Sequence, residues 1–333
     1  MPQKFAFTTA AMAAALEDTP ITYEDLAEIE KDFDDADTEI IKQQVALTAP
    51  LYARRAKTVS QIPNFWPLVL EQAPPDIDQF IQPSDSALLL SSLTALNVTH
   101  FELAQEPQGD PRSISIQWTF AENEYFEDTR LEKKFWHRRG KDGWSGLVSE
   151  PVQIKWKKGK DLTGGLLDLV CQAWEAETRA ETSTSMSPEQ KALRKKIENT
   201  GMGGLSFFAW FGYIGRKISK TESDLAKSRE AERRTLMKSG LEVQESIVEE
   251  EDAGDEDEEV GMSLEIFPDG DDLAVAITED LWPGAIRYFT QAQEQDALSD
   301  ADFESDDEGM DDGSDAGDSA DEAERPAKKP KTS

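Results

Sequence analysis

Between residues 22 and 62 apolar side chains recur on an alternating three-then-four spacing. Leu26, Ile29, Phe33, Ala36, Ile40 and Leu47 carry the pattern, with Gln43 in the one polar slot, and together they lay an apolar stripe along one side of a helix. The other faces hold Glu24, Asp25, Glu28, Glu30, Lys31, Asp32 and Asp34. Thr22, with Asp25 three residues on, predicts the N-cap, and Pro63 predicts the stop. At 1.5 Å per residue such a helix is roughly 60 Å long, about twice the diameter of a small domain. A helix of that length outruns its own domain, so the stripe predicts a dimerisation helix that meets a second copy of the chain. The plainer alternative is a surface helix packed along one large domain. Pro50 falls inside the pattern and predicts a kink near residues 48–51.

The remainder reads as a domain built onto the end of that helix. Residues 1–20 are small and Ala-rich, a disordered arm. Residues 64–72, residues 75–81 and a segment capped by Ser84 running to Leu93 read as short helices. The period then changes. Segments 97–104, 113–120, 131–137 and 152–156 are short and β-branched or aromatic. In the second of them Ile114, Ile116, Trp118 and Phe120 alternate with Ser113, Ser115, Gln117 and Thr119, the mark of a sheet with one covered face. Brief connections between them predict a four-stranded antiparallel meander flanked by helices, an α+β class.

Further along, residues 162–177 read as another helix and residues 178–204 as a mobile insertion. Leu205 to Tyr213 is a dense aromatic cluster. A charged, helix-favouring stretch over 216–241 runs into an acidic insertion at about 242–260. A last helix from Pro283 buries Leu281, Trp282, Ile286, Tyr288 and Phe289. The domain therefore spans 63–293, and residues 294–333 read as a disordered acidic tail.

Charge narrows the partners. The chain has 333 residues with 68 Asp and Glu against 35 Lys and Arg, a formal charge of -33. Glu242 to Glu259 holds 11 acids and Glu294 to Glu324 holds 15, with no Lys or Arg in either. Such a field repels nucleic acid and anionic membrane and attracts polycations. A basic macromolecule is thus the expected partner, the alternative being a solubilising tail with no partner. Just past the acids, Arg325-Pro-Ala-Lys-Lys-Pro-Lys331 presents Lys328, Lys329 and Lys331 in the pattern of a nuclear import signal. Nucleus is the expected location.

Catalytic chemistry is not signalled. The single cysteine, Cys171, excludes a disulfide framework, and the two histidines, His100 and His137, are too few for a His-rich metal site. Gly-x-Ser-x-Gly, phosphate-loop and dinucleotide fingerprints do not occur. The expectation is a non-enzyme with no cofactor and no metal. Lys155, Lys157, Lys158 and Lys160 around Trp156 imitate a nucleic-acid patch, but the whole-chain charge opposes that reading.

Five motifs in order resemble the nucleosome assembly protein family, in its SET/template-activating-factor branch as found in fungi. They are Ile62-Pro-Asn-Phe-Trp66, Phe120-Ala-Glu-Asn-Glu-Tyr-Phe-Glu127, Ile154-Lys-Trp-Lys-Lys-Gly-Lys-Asp-Leu-Thr163, Ser206-Phe-Phe-Ala-Trp-Phe211 and Glu279-Asp-Leu-Trp-Pro283. The resemblance implies a homodimer joined by the long helix, each end carrying an α+β "earmuff" domain. It implies a histone chaperone that binds core histones on an acidic underside, assisted by the tail. Carried onto this chain, the histone-binding residues are Glu122, Glu124, Glu127, Asp128, Glu279 and Asp280. A regulatory subunit or inhibitor of a nuclear enzyme, an acetyltransferase or phosphatase, is the alternative, and a histone-modifying enzyme is a possible further partner. The segments 164–204 and 216–260 are longer than the SET branch carries.

Overall fold

The computed structural model describes residues 21–105, 109–179, 186–200, 204–238 and 264–295. The expected arm at 1–20, the acidic insertion, nearly all of the tail and Lys328, Lys329 and Lys331 lie outside the described residues.

The first helix, α1 (Tyr23–Val59), starts where Thr22 and Asp25 close a capping box. Asp25 N–H donates to Thr22 Oγ1 at 3.2 Å, and Thr22 N–H donates to Asp25 Oδ2 at 2.8 Å, so two otherwise orphaned amides are satisfied. Its 37 residues give a rod of about 55 Å. Pro50 removes one backbone bond without ending the helix. Ser60 closes it before Pro63 is reached, its N–H bonding Ala56 O at 3.1 Å.

Two faces of α1 are distinct. Lys31, Thr38, Lys42, Val45 and Tyr52 are half-buried and Val59 is buried, and Tyr52 and Val59 meet the domain core. The predicted stripe lies on the other side. Leu26, Ile29, Phe33, Ile40 and Leu47 are 46%, 54%, 68%, 59% and 74% exposed, and Ala36 is exposed.

Short helices α2 (Phe65–Glu71), α3 (Pro75–Asp78) and α4 (Pro83–Ser92) follow. Asn64 opens α2 at φ +56°, a left-handed conformation that Asn tolerates. Gln82, rather than Ser84, caps α4, in a capping box with Asp85.

The sheet is a four-stranded antiparallel meander in the order β1 (Leu93–Thr99), β2 (Ile114–Phe120), β3 (Arg130–Arg139) and β4 (Ser145–Ser149). Two strands differ from the sequence expectation. β1 begins earlier, and part of the expected segment 97–104 instead belongs to a helix, α5 (Phe101–Gln105). The fourth strand is Ser145–Ser149, not 152–156. β3 runs on to Arg139, and a turn in which Gly140 N–H bonds Trp144 O at 2.8 Å, with Gly143 at φ +88°, sets Ser145 opposite Arg139. The alternating residues after Pro151 take their backbone partners elsewhere: Val152 N–H bonds Phe211 O at 2.8 Å, and Trp156 makes only an isolated bridge to Phe126.

Behind the sheet lies a 3₁₀ turn, Phe207–Gly212. Its Phe207, Phe208, Trp210 and Phe211 are fully enclosed, and the first three meet Trp118, Phe120 and Phe126 at ring-centre distances of 5.2–6.5 Å. Two buried polar groups fasten this turn. Asp85 accepts from Ser206 Oγ at 2.6 Å and Phe207 N at 2.7 Å. Lys133, on β3 and wholly buried, donates to Glu150 O at 2.6 Å, Phe211 O at 3.1 Å and Tyr213 O at 2.6 Å. Burial pushes its ammonium down to about 7.

The helix α6 (Leu166–Arg179) buries Leu166, Leu167, Val170 and Cys171 against this core. Within the segment 178–204, which composition reads as a mobile insertion, α7 (Pro188–Thr200) is helical and buries Leu193. Ser187 and Gln190 form its capping box, with bonds of 2.8 Å and 3.1 Å. α8 (Lys220–Lys238) runs over the sheet, and α9 (Gly270–Ala276) leads through a π-helical turn (Ile277–Leu281) into α10, residues 285–295. No described helix is long and apolar enough to cross a membrane.

Candidate functional site

The acids singled out by sequence sit at two loci, each rooted in β1 and each held by a basic or aromatic brace. The first is the β2–β3 connection. Asn123 Oδ1 accepts from the amides of Tyr125 at 2.9 Å and Phe126 at 3.0 Å, an Asx turn that drives Phe126 into the core between Phe120 and Trp156, 5.1 Å and 5.7 Å away. The segment 155–160 straps this loop from outside. Glu127 N–H bonds Lys155 O at 3.0 Å, Lys157 N–H bonds Tyr125 O at 2.7 Å, and Ala121 N–H bonds Ser92 O, next to β1, at 2.7 Å. Lys157 Nζ donates to Asn123 O and Lys160 Nζ to Glu124. The lysines that imitate a nucleic-acid patch are therefore largely spent on bracing an acidic loop.

That bracing sorts the four acids. Asp128 accepts Lys155 N–H at 2.7 Å and is a structural acceptor. Glu124 is ion-paired, and the Lys160 ammonium holds its carboxyl below the ordinary range. Glu122 and Glu127 point to solvent from the same fixed backbone.

The second locus is the π-helical turn. Trp282 is buried and donates through Nε1 to Leu96 O of β1 at 3.2 Å. Arg55, from the last turns of α1, lies 4.7 Å from the Tyr52 ring centre, 5.8 Å from Trp66 and 4.5 Å from Trp282. It donates to the carbonyls of Trp282 and Pro283. This half-buried cation is held by ring faces and carbonyls, and sequence carries no signal for it beyond Tyr52 and Arg55 standing one turn apart. Asp280 binds Arg287 at 2.9 Å and Tyr288 Oη at 2.8 Å. Glu279, beside it, is exposed.

A third cluster, unanticipated, joins the loop before β2 to β3 and α8 around Asp110. Asp110 is almost buried and is ringed by Arg112 Nε at 3.0 Å, Lys227 Nζ at 3.1 Å and His137 Nδ1 at 3.3 Å. The His137 contact lacks hydrogen-bond geometry. Burial works to raise the Asp110 carboxyl, and the His137 and Arg112 contacts outweigh it, holding it far below the ordinary carboxylate range.

Among the described residues no group of three or more His, Cys, Asp and Glu side chains is placed to hold a metal ion. The lone thiol, Cys171, is buried and pushed up to about 12, which makes it a poor nucleophile.

Comparison with known proteins places these features in a family. The family profile "Nucleosome assembly protein (NAP)" matches residues 22–292. A Schizosaccharomyces pombe protein named for nucleosome assembly is 38% identical over 151 residues, 42% of this chain and 59% of that relative, so the match spans under two thirds of its length. Vacuolar protein sorting-associated protein 75 of Saccharomyces cerevisiae is 25% identical over 271 residues, 80% of this chain and 77% of the relative. The crystal structure of Ccp1 is similar at 26% identity, covering 85% of this chain and 97% of that one with a TM-score of 0.48.

Proposed function

This chain belongs to the nucleosome assembly protein family, and on that premise we propose that it is a histone chaperone acting as a homodimer. The observation that carries the reading is the family match itself, because it runs through the long helix and the whole α+β domain together. The reading is of a binding protein and not of an enzyme.

The proposed histone-contacting groups are the acids that the fold leaves unengaged. Glu122, Glu127 and Glu279 stand exposed on braced backbone, so a basic partner meets fixed charge and no side chain need first give up an internal partner. Glu124, Asp128 and Asp280 are proposed to contribute less directly, since each already holds an internal cation or amide. Histones bind DNA through Lys and Arg. Carboxylates on the domain, with those of the acidic segments, compete for the same cations and lower the population of non-specific histone–DNA contacts. DNA, with its denser charge, recovers the histone once the productive geometry is reached, and assembly proceeds.

The dimer is proposed to form along Leu26, Ile29, Phe33, Ala36, Ile40 and Leu47. Six three- and four-spaced apolar positions left in water on a 55 Å rod are costly at about 25 cal/mol per Å², and pairing with a second copy removes that cost. Lys328, Lys329 and Lys331 are proposed to serve nuclear import.

The deciding experiment is light scattering behind size exclusion, on the protein alone and mixed with purified core histones, at about 0.3 M salt where non-specific pairing is largely screened. A dimer that carries histones as a defined complex supports the reading. A monomer, or a mixture that elutes as separate species, overturns it.

A further inference from the structure

Nearly every helix of this domain is held by apolar burial, but α8 is held by charge. Of its described side chains only Ser223 is buried, and Leu225 is 53% exposed. Its first turn is nevertheless well fixed. Ser219 Oγ caps Glu222 N–H at 3.1 Å, and Ser223 Oγ accepts Arg139 N–H of β3 at 2.9 Å.

Beyond that anchor the contacts are ionic. Lys227 reaches Asp110 at 3.1 Å and Glu230 reaches Arg139 at 3.9 Å. Eleven residues past Ser223, about 16 Å along the helix, Arg234 bonds two acids of α1: Asp32 at 2.6 Å and Asp35 at 2.8 Å. Its Nε is enclosed and has no acceptor. Between α8, α1 and β3, where packed side chains would otherwise be, lies a cavity of about 290 Å³ lined by charged groups that include Lys31, Asp35 and Arg139.

We propose that α8 is an ionic strap, hinged at Ser219 to Ser223, whose far end lets go of α1 when other cations compete for Asp32 and Asp35. Exposed ion pairs contribute little to stability and are screened by salt. A 19-residue helix without tertiary support is marginal in water, so letting go also means local unfolding at low cost. Docked, the strap neutralises carboxylates of the long helix; released, it returns them to solvent beside Asp34. At 3.6 residues per turn, Asp35 and its neighbours Lys31 and Thr38 lie roughly 170° around α1 from the mean of the apolar stripe, and Asp32 lies roughly 80° from it, on the flank of the stripe, so the strap grips α1 outside the proposed dimer seam. That the competing cation belongs to a histone rests on the function proposed above; the release itself does not.

The test is amide hydrogen exchange on the full chain at about 0.05 M and about 0.5 M NaCl, with α6 as internal reference. Exchange over residues 224–236 should rise about tenfold or more with salt, and also at low salt when polylysine is added, while α6 stays protected. Arg234→Gln should give the fast exchange already at low salt, and so should the Asp32→Asn/Asp35→Asn double variant, which changes only the other helix. Equal protection at both salts, no response to polylysine, or an effect from one side of the pairing but not the other overturns the proposal. No histone is used, so this outcome and that of the chaperone test are separate.

Discussion

The Arg55 guanidinium lies 4.5 Å from the centre of the Trp282 ring and donates to the Trp282 carbonyl, so one cation joins the foot of the long helix to the turn that carries Glu279 and Asp280. The same cation faces Tyr52, whose ring centre is 4.0 Å from that of Trp282. Helix and turn therefore move as one piece.

Arg55→Met removes the charged donor while keeping much of the stem. The variant should lose about 2 kcal/mol of unfolding free energy, from lost cation–π contact and the Trp282 carbonyl left without its donor. Urea denaturation measures it. Arg55→Lys should recover only part, because an ammonium lacks the flat guanidinium that lies over the Trp282 ring.

Phe33→Glu places a charge in the middle of the exposed stripe. Scattering mass should fall from two chains to one, while far-ultraviolet circular dichroism stays unchanged, because Phe33 makes no contribution to the domain core. A dimer that survives both this change and Ile40→Glu would locate the seam elsewhere.

Charge reversal at Glu122, Glu127 and Glu279 together should weaken core-histone binding by about tenfold at physiological salt, with stability within about 0.5 kcal/mol of the parent. Asp128→Ala should do the opposite. It leaves the Lys155 amide without its acceptor, costing about 1 kcal/mol of stability, with a smaller effect on binding.

Lys133 makes stability depend on alkaline pH. Its folded value near 7 lies below the ordinary value near 10.4 for the unfolded chain, so between these limits the unfolded state binds more protons and stability rises with pH. Below 7 the ammonium is charged in both states and its burial penalty is constant. Against Lys133→Met, the parent should gain up to about 1 kcal/mol per pH unit from pH 7 to 10, read as urea midpoints. Parallel curves would mean that the three carbonyls keep the ammonium protonated throughout.

Much of this molecule was legible where one physical rule dominates. Thr22 and Asp25 announced the start of α1, and the alternation from Ser113 to Phe120 gave the orientation of β2, because capping and pleating act on neighbours in sequence. The density of aromatic residues from Phe207 to Phe211 marks a segment that the core encloses. The fourth strand was missed because Val152 and Trp156 alternate as a strand does, and only the length of β3 and the Gly140–Gly143 turn decide which segment lies opposite. The composition of residues 178–204 predicts a mobile stretch and hides α7, although Ser187-Pro-Glu-Gln190 is a capping box. Among the acids, sequence could not separate Glu127 from Asp128: one faces water and the other a backbone amide delivered from residue 155.

The two faces of α1 act as a reading frame. One row of side chains is addressed to the chain's own domain and another, on the far side, is exposed, and the two share every turn of the rod. One residue inserted near Gln43 would rotate everything before it by about 100°, turning Leu26 to Ile40 away from the line of Leu47 while pulling Asp32 and Asp35 out of register with Arg234. A substitution along this helix disturbs one of its faces. A change in its length disturbs both at once.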